Sequence, residues 1–190
     1  MLNLKQRKKG IPKVSTEIVP SEKNPKLIIP TTSYALEINP LSTIKEMIEK
    51  GNYGSANPDI KLIKKESGPK PEKVTSVIIK LVHFSEPILD NEVDNKLSEN
   101  GLESVGIMEL LAFGATYPEN EDSEHLIVAR GSNWYSMIPG LDFCKKSLET
   151  ETKKERVLNL YWTERKDYYT EWSSDVLFAV KEKVKSSEAI

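Results

Sequence analysis

Residues 99–134, ENGLESVGIMELLAFGATYPENEDSEHLIVARGSNW, constrain the fold more than any other stretch of the chain. Ile107, Leu110, Leu111 and Gly114 recur at helical spacing after Ser104, and Pro118 closes the pattern, which predicts a helix over Gly106–Tyr117. Just before it, Asp90 or Asn91 is placed to cap a helix that runs to Asn100 and stops at Gly101. Val74–Phe84, rich in Val and Ile, precedes both and is predicted as a strand. Leu126–Arg130 follows as a buried strand, then Tyr135–Leu141, Val157–Trp162 and Val176–Val180. Two helices therefore stand side by side in sequence before a run of four strands. An alternating α/β sheet would interleave them; this order indicates an α+β fold with a mainly antiparallel sheet.

The rest of the chain sorts around this unit, residues 74–186. Residues 1–26 carry Lys5, Arg7, Lys8, Lys9, Lys13, Lys23 and Lys26 against Glu17 and Glu22, a local charge of about +5, with three prolines and no apolar period. They are expected to form a disordered basic tail. Residues 27–67 are expected to be a small β/α appendage packed on the main domain. Within it, SYALEI (33–38) alternates like a strand, and Ser42 or Thr43 caps a helix through Lys50. Gly51 stands where that helix needs a left-handed residue. Residues 64–73 read as a hydrophilic linker or hairpin tip, and Lys145–Glu155 as a long charged loop.

Composition excludes several classes. A chain of 190 residues with 29% charged and 38% hydrophobic residues has the make-up of an ordinary globular protein. No apolar run approaches a membrane span, since Val77–Val82 is already broken by Lys80, and no secretory signal follows the basic start. Cys144 stands alone, which rules out an internal disulfide or a cysteine metal cluster and makes a cytoplasmic location the expectation. Residues 86–124 hold eleven Asp or Glu against Lys96, about −10, which turns that region away from phosphate backbones.

The pieces IKEMIEKGNYGSANPDI, the strand ending LVHF, ELLAFGATYP, IVARGSNW and LFAVK together resemble a family of small uncharacterised bacterial proteins, from about Tyr34 to Lys181. The resemblance implies a bacterial source and brings no activity with it; the Lys/Glu-rich residues 140–156 depart from the family's pattern. The strand–helix–helix–strands order is also similar to a C-type-lectin-like fold. The calcium and sugar signatures of true lectins are missing, so that analogy implies binding without calcium.

Little catalytic chemistry is on offer. His83 and His125 are far apart, without the spacing of a zinc site; His83 is expected to close its strand with a hydrogen bond and His125 to lie in an acidic turn. No metal or other cofactor is implied. Ser132 lacks the spacing of a nucleophile elbow, and Cys144 beside Lys145 and Lys146 has no nearby His. Glu119, Glu121, Asp122 and Glu124 form a charged turn, and Glu109 sits beside the apolar stripe of its helix, where it is exposed or reaches back to the helix start. An enzyme would be a hydrolase using these carboxylates. A weaker alternative is nucleic-acid contact through Lys5, Arg7, Lys8 and Lys9.

Aromatic residues are the remaining signal. Trp134, Tyr135, Tyr161, Trp162, Tyr168, Tyr169 and Trp172 fall in one stretch; Tyr161 and Trp162 alternate on one strand, and Tyr168, Tyr169 and Trp172 lie in a polar loop, DYYTEWSSD, that either presents them to a partner or folds back as a lid on the core. Exposed loop Tyr and Trp give large contact area at small entropic cost. The expectation is a non-catalytic binding module that uses Trp134, Tyr135, Tyr168, Tyr169 and Trp172, with a protein as partner, a glycan as the alternative, nucleic acid disfavoured and no membrane. The core is predicted around Ile78, Leu81, Leu110, Leu111, Phe113, Ile127, Val128, Leu158, Leu160, Leu177 and Val180, with both helices on one sheet.

Overall fold

In the computed structural model, residues 24–63, 73–118, 125–133, 135–147, 152–165 and 168–183 are described. In chain order the elements are β1 Leu27–Ile28, β2 Tyr34–Ile38, α1 Ile44–Gly51, β3 Ser55–Ala56, β4 Thr75–Phe84, β5 Ile88–Leu89, α2 Asp90–Glu99 and β6 Leu102–Ser104. Then come α3 Ile107–Thr116, β7 Ile127–Val128, β8 Met137–Ser147, β9 Thr152–Trp162, β10 Glu164–Arg165, β11 Tyr168–Tyr169, β12 Glu171–Trp172 and β13 Leu177–Glu182. A short 3-10 turn spans Pro58–Leu62.

Nine strands form one sheet in the order β1-β4-β13-β7-β8-β9-β3, with β2 also on β4 and β6 also on β13. Among the described residues only β13–β7 and β3–β9 are parallel pairs. The fold is α+β, as the element order predicts. The segment expected as an appendage is built into the sheet: β1 and β2 pair with β4, β3 pairs with β9, and α1 packs on α3.

The sheet is covered on both faces, by α1 and α3 on one and by α2 on the other. Alternation along the strands divides the core. Ile79, Leu81, Ile127, Leu177 and Ala179 face α1 and α3 together with Leu110, Leu111, Phe113, Leu158 and Leu160. Val82, Phe84, Val128, Phe178 and Val180 face α2 through Val93 and Leu97. Of the predicted core, Val128 and Val180 thus belong to the second layer. Ile78 belongs to neither: it is 61% exposed, because α2 does not cover the first half of β4 on that face.

Local chemistry explains the helix ends. Thr43 caps α1 in a reciprocal box with Glu46, at 3.1 Å and 2.7 Å. The left-handed residue after α1 is Asn52, φ 47°, one position beyond Gly51. Asn is among the few residues that tolerate this region. Asp90 does not cap α2; Leu89 holds the cap position and Asp90 is the first helical residue. Nor does Ser104 start α3. Gly106 is its cap residue and has no side chain to offer, so Ser132 Oγ accepts the Ile107 N–H at 2.9 Å from a segment distant in sequence.

The described part of Lys145–Glu155, residues 145–147 and 152–155, is strand and not loop. β8 and β9 pair without interruption from Met137↔Trp162 to Ser147↔Thr152. Arg156 anchors the ribbon: its guanidinium donates to the carbonyls of Gly51 and Gly114, at the C-terminal ends of α1 and α3, and lies 5.2 Å from the Tyr53 ring centroid. A cation at two helix C-termini is favoured by both dipoles.

Candidate binding surface at the open end of the long hairpin

At the Met137/Trp162 end of the ribbon the chain enters β8 through an unusual bend. Tyr135 (φ 49°) and Ser136 (φ 59°) are both left-handed. For L-residues this costs about 1–2 kcal/mol each, so the bend persists only because its surroundings hold it. The hold is visible. The Ser136 carbonyl accepts both the Thr163 N–H at 2.8 Å and the Thr163 Oγ1–H at 2.9 Å. Thr170 then closes the corner, its N–H donating to the Thr163 carbonyl at 3.0 Å and its Oγ1–H to the Trp162 carbonyl at 2.7 Å.

This corner presents aromatic surface. Tyr135 is 77% exposed and Trp162, opposite Met137 in register, is 45% exposed. The short hairpin β10–β11 follows at once, with Tyr169 opposite Glu164 and Tyr168 opposite Arg165. The backbone thus brings Tyr135, Trp162, Tyr168 and Tyr169 to one end of the hairpin. The side chains of Tyr168 and Tyr169, and the whole of Trp134, lie outside the described residues. In the sequence Trp162 is one of two alternating strand residues, and its signal is its place as the last residue before the polar Thr163.

Trp172 is corrected. It is 4% exposed, in the second core layer, with its ring edge-on to Phe178 at 6.2 Å. Its indole N–H donates to Asp90 Oδ1 at 2.7 Å. Arg130 donates to the same carboxylate oxygen and forks onto Asp94 at 3.2 Å and 2.9 Å. Burial pulls the Arg130 pKa down, but the hydrogen bonds and charges of Asp94 and Asp90 outweigh it and raise it above the ordinary guanidinium value. The guanidinium is therefore a fixed charge holding α2 to β7. A burial site for an indole cannot serve a partner while the domain is folded.

The groove beside this network, about 460 Å³, is lined by Asp94, Asn95, Ser98, Glu103, Arg130 and Lys183 among others. Arg130 is held by two carboxylates and Lys183 donates to Ser98 at 3.1 Å. Glu109 neither points free nor reaches the helix start; it pairs with Lys181 at 3.3 Å. Glu119, Glu121, Asp122 and Glu124 lie outside the described residues, as do Lys5, Arg7, Lys8 and Lys9. His83 Nδ1 lies 3.2 Å from the Ser174 carbonyl, closing β4 as expected. His125 is exposed, and its charge helps to lower the Asp175 pKa, which the Ser173 hydrogen bond lowers most. Among the described residues no group of three His, Cys, Asp or Glu is placed to hold a metal, and no helix is long and apolar enough to cross a membrane.

Arg130, Gly131 and Ser132 of the IVARGSNW piece have structural uses. Arg130 N–H donates to Ser104 Oγ at 3.0 Å and Gly131 N–H to the Val105 carbonyl at 2.9 Å. A Cβ on Gly131 would stand 2.7 Å from that carbonyl, so only glycine allows the approach. Ser132 caps α3. Comparison with protein-family models, curated proteins and solved structures finds no match for the chain.

Proposed function

We propose that the chain is a non-catalytic binding module whose contact surface is the Tyr135–Trp162 corner, with a protein as its partner. The observation that carries this reading is two exposed aromatic side chains on a bend held in an unfavourable backbone conformation by Thr163 and Thr170. Rigid aromatic anchors offer apolar contact with little side-chain entropy to lose. Strain retained at an exposed corner is what a pre-shaped contact surface requires. The lectin-like analogy is supported by β4 and β13, the first and last long strands of residues 74–186, lying side by side with α2 and α3 between them in sequence. A bacterial, cytoplasmic setting accords with the single Cys144 and the resembled family.

The test is a photo-crosslinking residue at position 135, with one at exposed Glu92 on α2 as control, in the native host. A discrete protein adduct is expected from position 135 alone, and it is lost when Trp162→Ala is added. Identical adducts from both positions, or an adduct indifferent to Trp162, would refute the reading. Binding on a glycan array that Trp162→Ala abolishes would make the occupant a sugar.

A further inference from the structure

Strands β4 and β13 pair over only part of their length. Their register runs Phe178↔Val82, Ala179↔Leu81 and Val180↔Lys80 and stops there, although β4 reaches back to Thr75 and β13 on to Glu182. β13 keeps its other partner, with Lys181 opposite Glu103 and Glu182 opposite Leu102 on β6. Where β4 and β13 separate lies a cleft of about 440 Å³, lined by Ser76, Ile78 and Lys80 on one side and by Lys181 and Glu182 on the other. Pairing fixes which backbone groups face it, because hydrogen-bonded and non-bonded positions alternate along an antiparallel ladder. The Leu177 N–H donates to the Leu126 carbonyl and the Ala179 carbonyl accepts the Val105 N–H, so these residues point away from β4 while Phe178, Val180 and Glu182 point towards it. By the same register Val82, Lys80, Ile78 and Ser76 of β4 point towards β13, and Thr75, Val77 and Ile79 are bonded to β2. Ser76 and Ile78 thus turn their backbone N–H and C=O groups into the cleft, where no strand pairs with them among the described residues. Both side chains are exposed as well.

We infer that the cleft takes up an extended stretch of a partner polypeptide, which adds a strand to β4 at residues 76–78. Donors and acceptors left along a strand edge are matched by another extended backbone, which repeats them at the same spacing. A cleft of this volume is of the size that holds a small ligand or a single chain segment, and it leaves no room for the sheet of a second folded copy. The walls set the side chains of the occupant. Their charges are already matched, Lys80 with Glu182 at 3.6 Å and Lys181 with Glu103 at 3.7 Å and Glu109 at 3.3 Å. A segment without net charge is therefore the complementary one. Its residue opposite Ile78 lies on the same face, beside a side chain that is 61% exposed, where a β-branched or aromatic residue pairs best. This site is separate from the Tyr135–Trp162 corner, which belongs to β8 and β9.

The test uses the full chain. Random peptides displayed on phage are selected on it, the enriched ones are synthesised, and amide hydrogen exchange is followed by NMR. In the free chain the Ser76 and Ile78 amides should exchange fast, while those of Val77 and Ile79, bonded to β2, are protected. A selected peptide at about 100 times its dissociation constant should slow exchange at Ser76 and Ile78 about 100-fold. Ser76 and Ile78 amides already protected in the free chain would mean that the chain closes this edge itself, and that overturns the proposal. So does a selection that enriches no peptide, or only peptides that leave these two amides unchanged. Protection confined to the surroundings of Tyr135 and Trp162 overturns the cleft and leaves the proposed function standing. Ile78→Lys changes an exposed side chain to one that blunts strand edges, and it should weaken the peptide about fivefold; equal affinity overturns the added strand.

Discussion

Replacing Trp172 by Phe separates a core residue from a contact residue. The ring stays aromatic and keeps its edge on Phe178, but the N–H donated to Asp90 at 2.7 Å is gone. A hydrogen bond to a charged group contributes about 1.5–3 kcal/mol. Asp90 is not orphaned, because Arg130 still donates to it, so the penalty stops there. The smaller ring leaves a void of a few tens of Å³, which at ~24 cal/mol per Å³ adds about 1 kcal/mol. The expected loss is therefore about 2.5–4 kcal/mol, a large share of the stability of a domain. Urea unfolding followed by circular dichroism measures it, and the slope with urea should not change. Asp90→Asn keeps an acceptor and removes the charge, so the double variant should show a coupling of about 1 kcal/mol between the two sites. In the crosslinking assay at position 135, Trp172→Phe should leave the adduct intact. A loss under about 1 kcal/mol combined with a vanished adduct would show that Trp172 belongs to the contact surface after all.

Four further outcomes follow from the geometry. Leu111→Ala, at a fully buried position of α3, should cost about 2–5 kcal/mol by urea unfolding. Burial pushes the Tyr53 phenol up to about 12, against the opposing charge of Arg156, so the folded chain keeps a proton that the unfolded chain gives up above pH 10.0. Stability should be insensitive to Tyr53 below that pH and fall by roughly 2–3 kcal/mol towards pH ~12, and the fall should be missing in Tyr53→Phe. A Cβ at Gly114 would stand 2.2 Å from the Tyr53 hydroxyl oxygen and 3.1 Å from Leu141, so Gly114→Ala should cost about 1–3 kcal/mol, partly restored by adding Tyr53→Phe. Ser136→Gly removes a left-handed L-residue and should raise the thermal midpoint by about 1–4 °C, which calorimetry would detect.

What the sequence revealed followed from what the core imposes. α3 was legible because its apolar residues repeat under burial, and Leu126–Ala129 announced a central strand because both faces of β7 meet a core. The ends of β8 and β9 were hidden for the opposite reason. Past Asp142 and Arg156 the described residues of the two strands pair only with each other, and their charged sequence carries no alternation that records the pairing. Ile78 lies in a run of β-branched residues that looks uniformly buried; only the reach of α2 decides which of them are covered. Trp172 sits in DYYTEWSSD, polar by composition, and its burial depends on an acceptor 82 positions away. Tyr135 could be named from the sequence, but the left-handed bend that presents it comes from Thr163 across the hairpin.

The division between scaffold and surface narrows where function can lie. The residues that gave the sequence its resemblance are spent on assembly: Ser132 caps α3, Gly131 lets the chain touch β6, Gly114 seats Tyr53, and Arg130 ties α2 to β7. Their pattern identifies a folding unit, which is why it carried no chemistry. What assembly leaves in view is the Met137/Trp162 end of β8–β9, where Tyr135 and Trp162 are exposed beside a costly left-handed bend. The bend lowers the stability of the free chain, and a local cost of this kind is expected where a bound state makes it favourable.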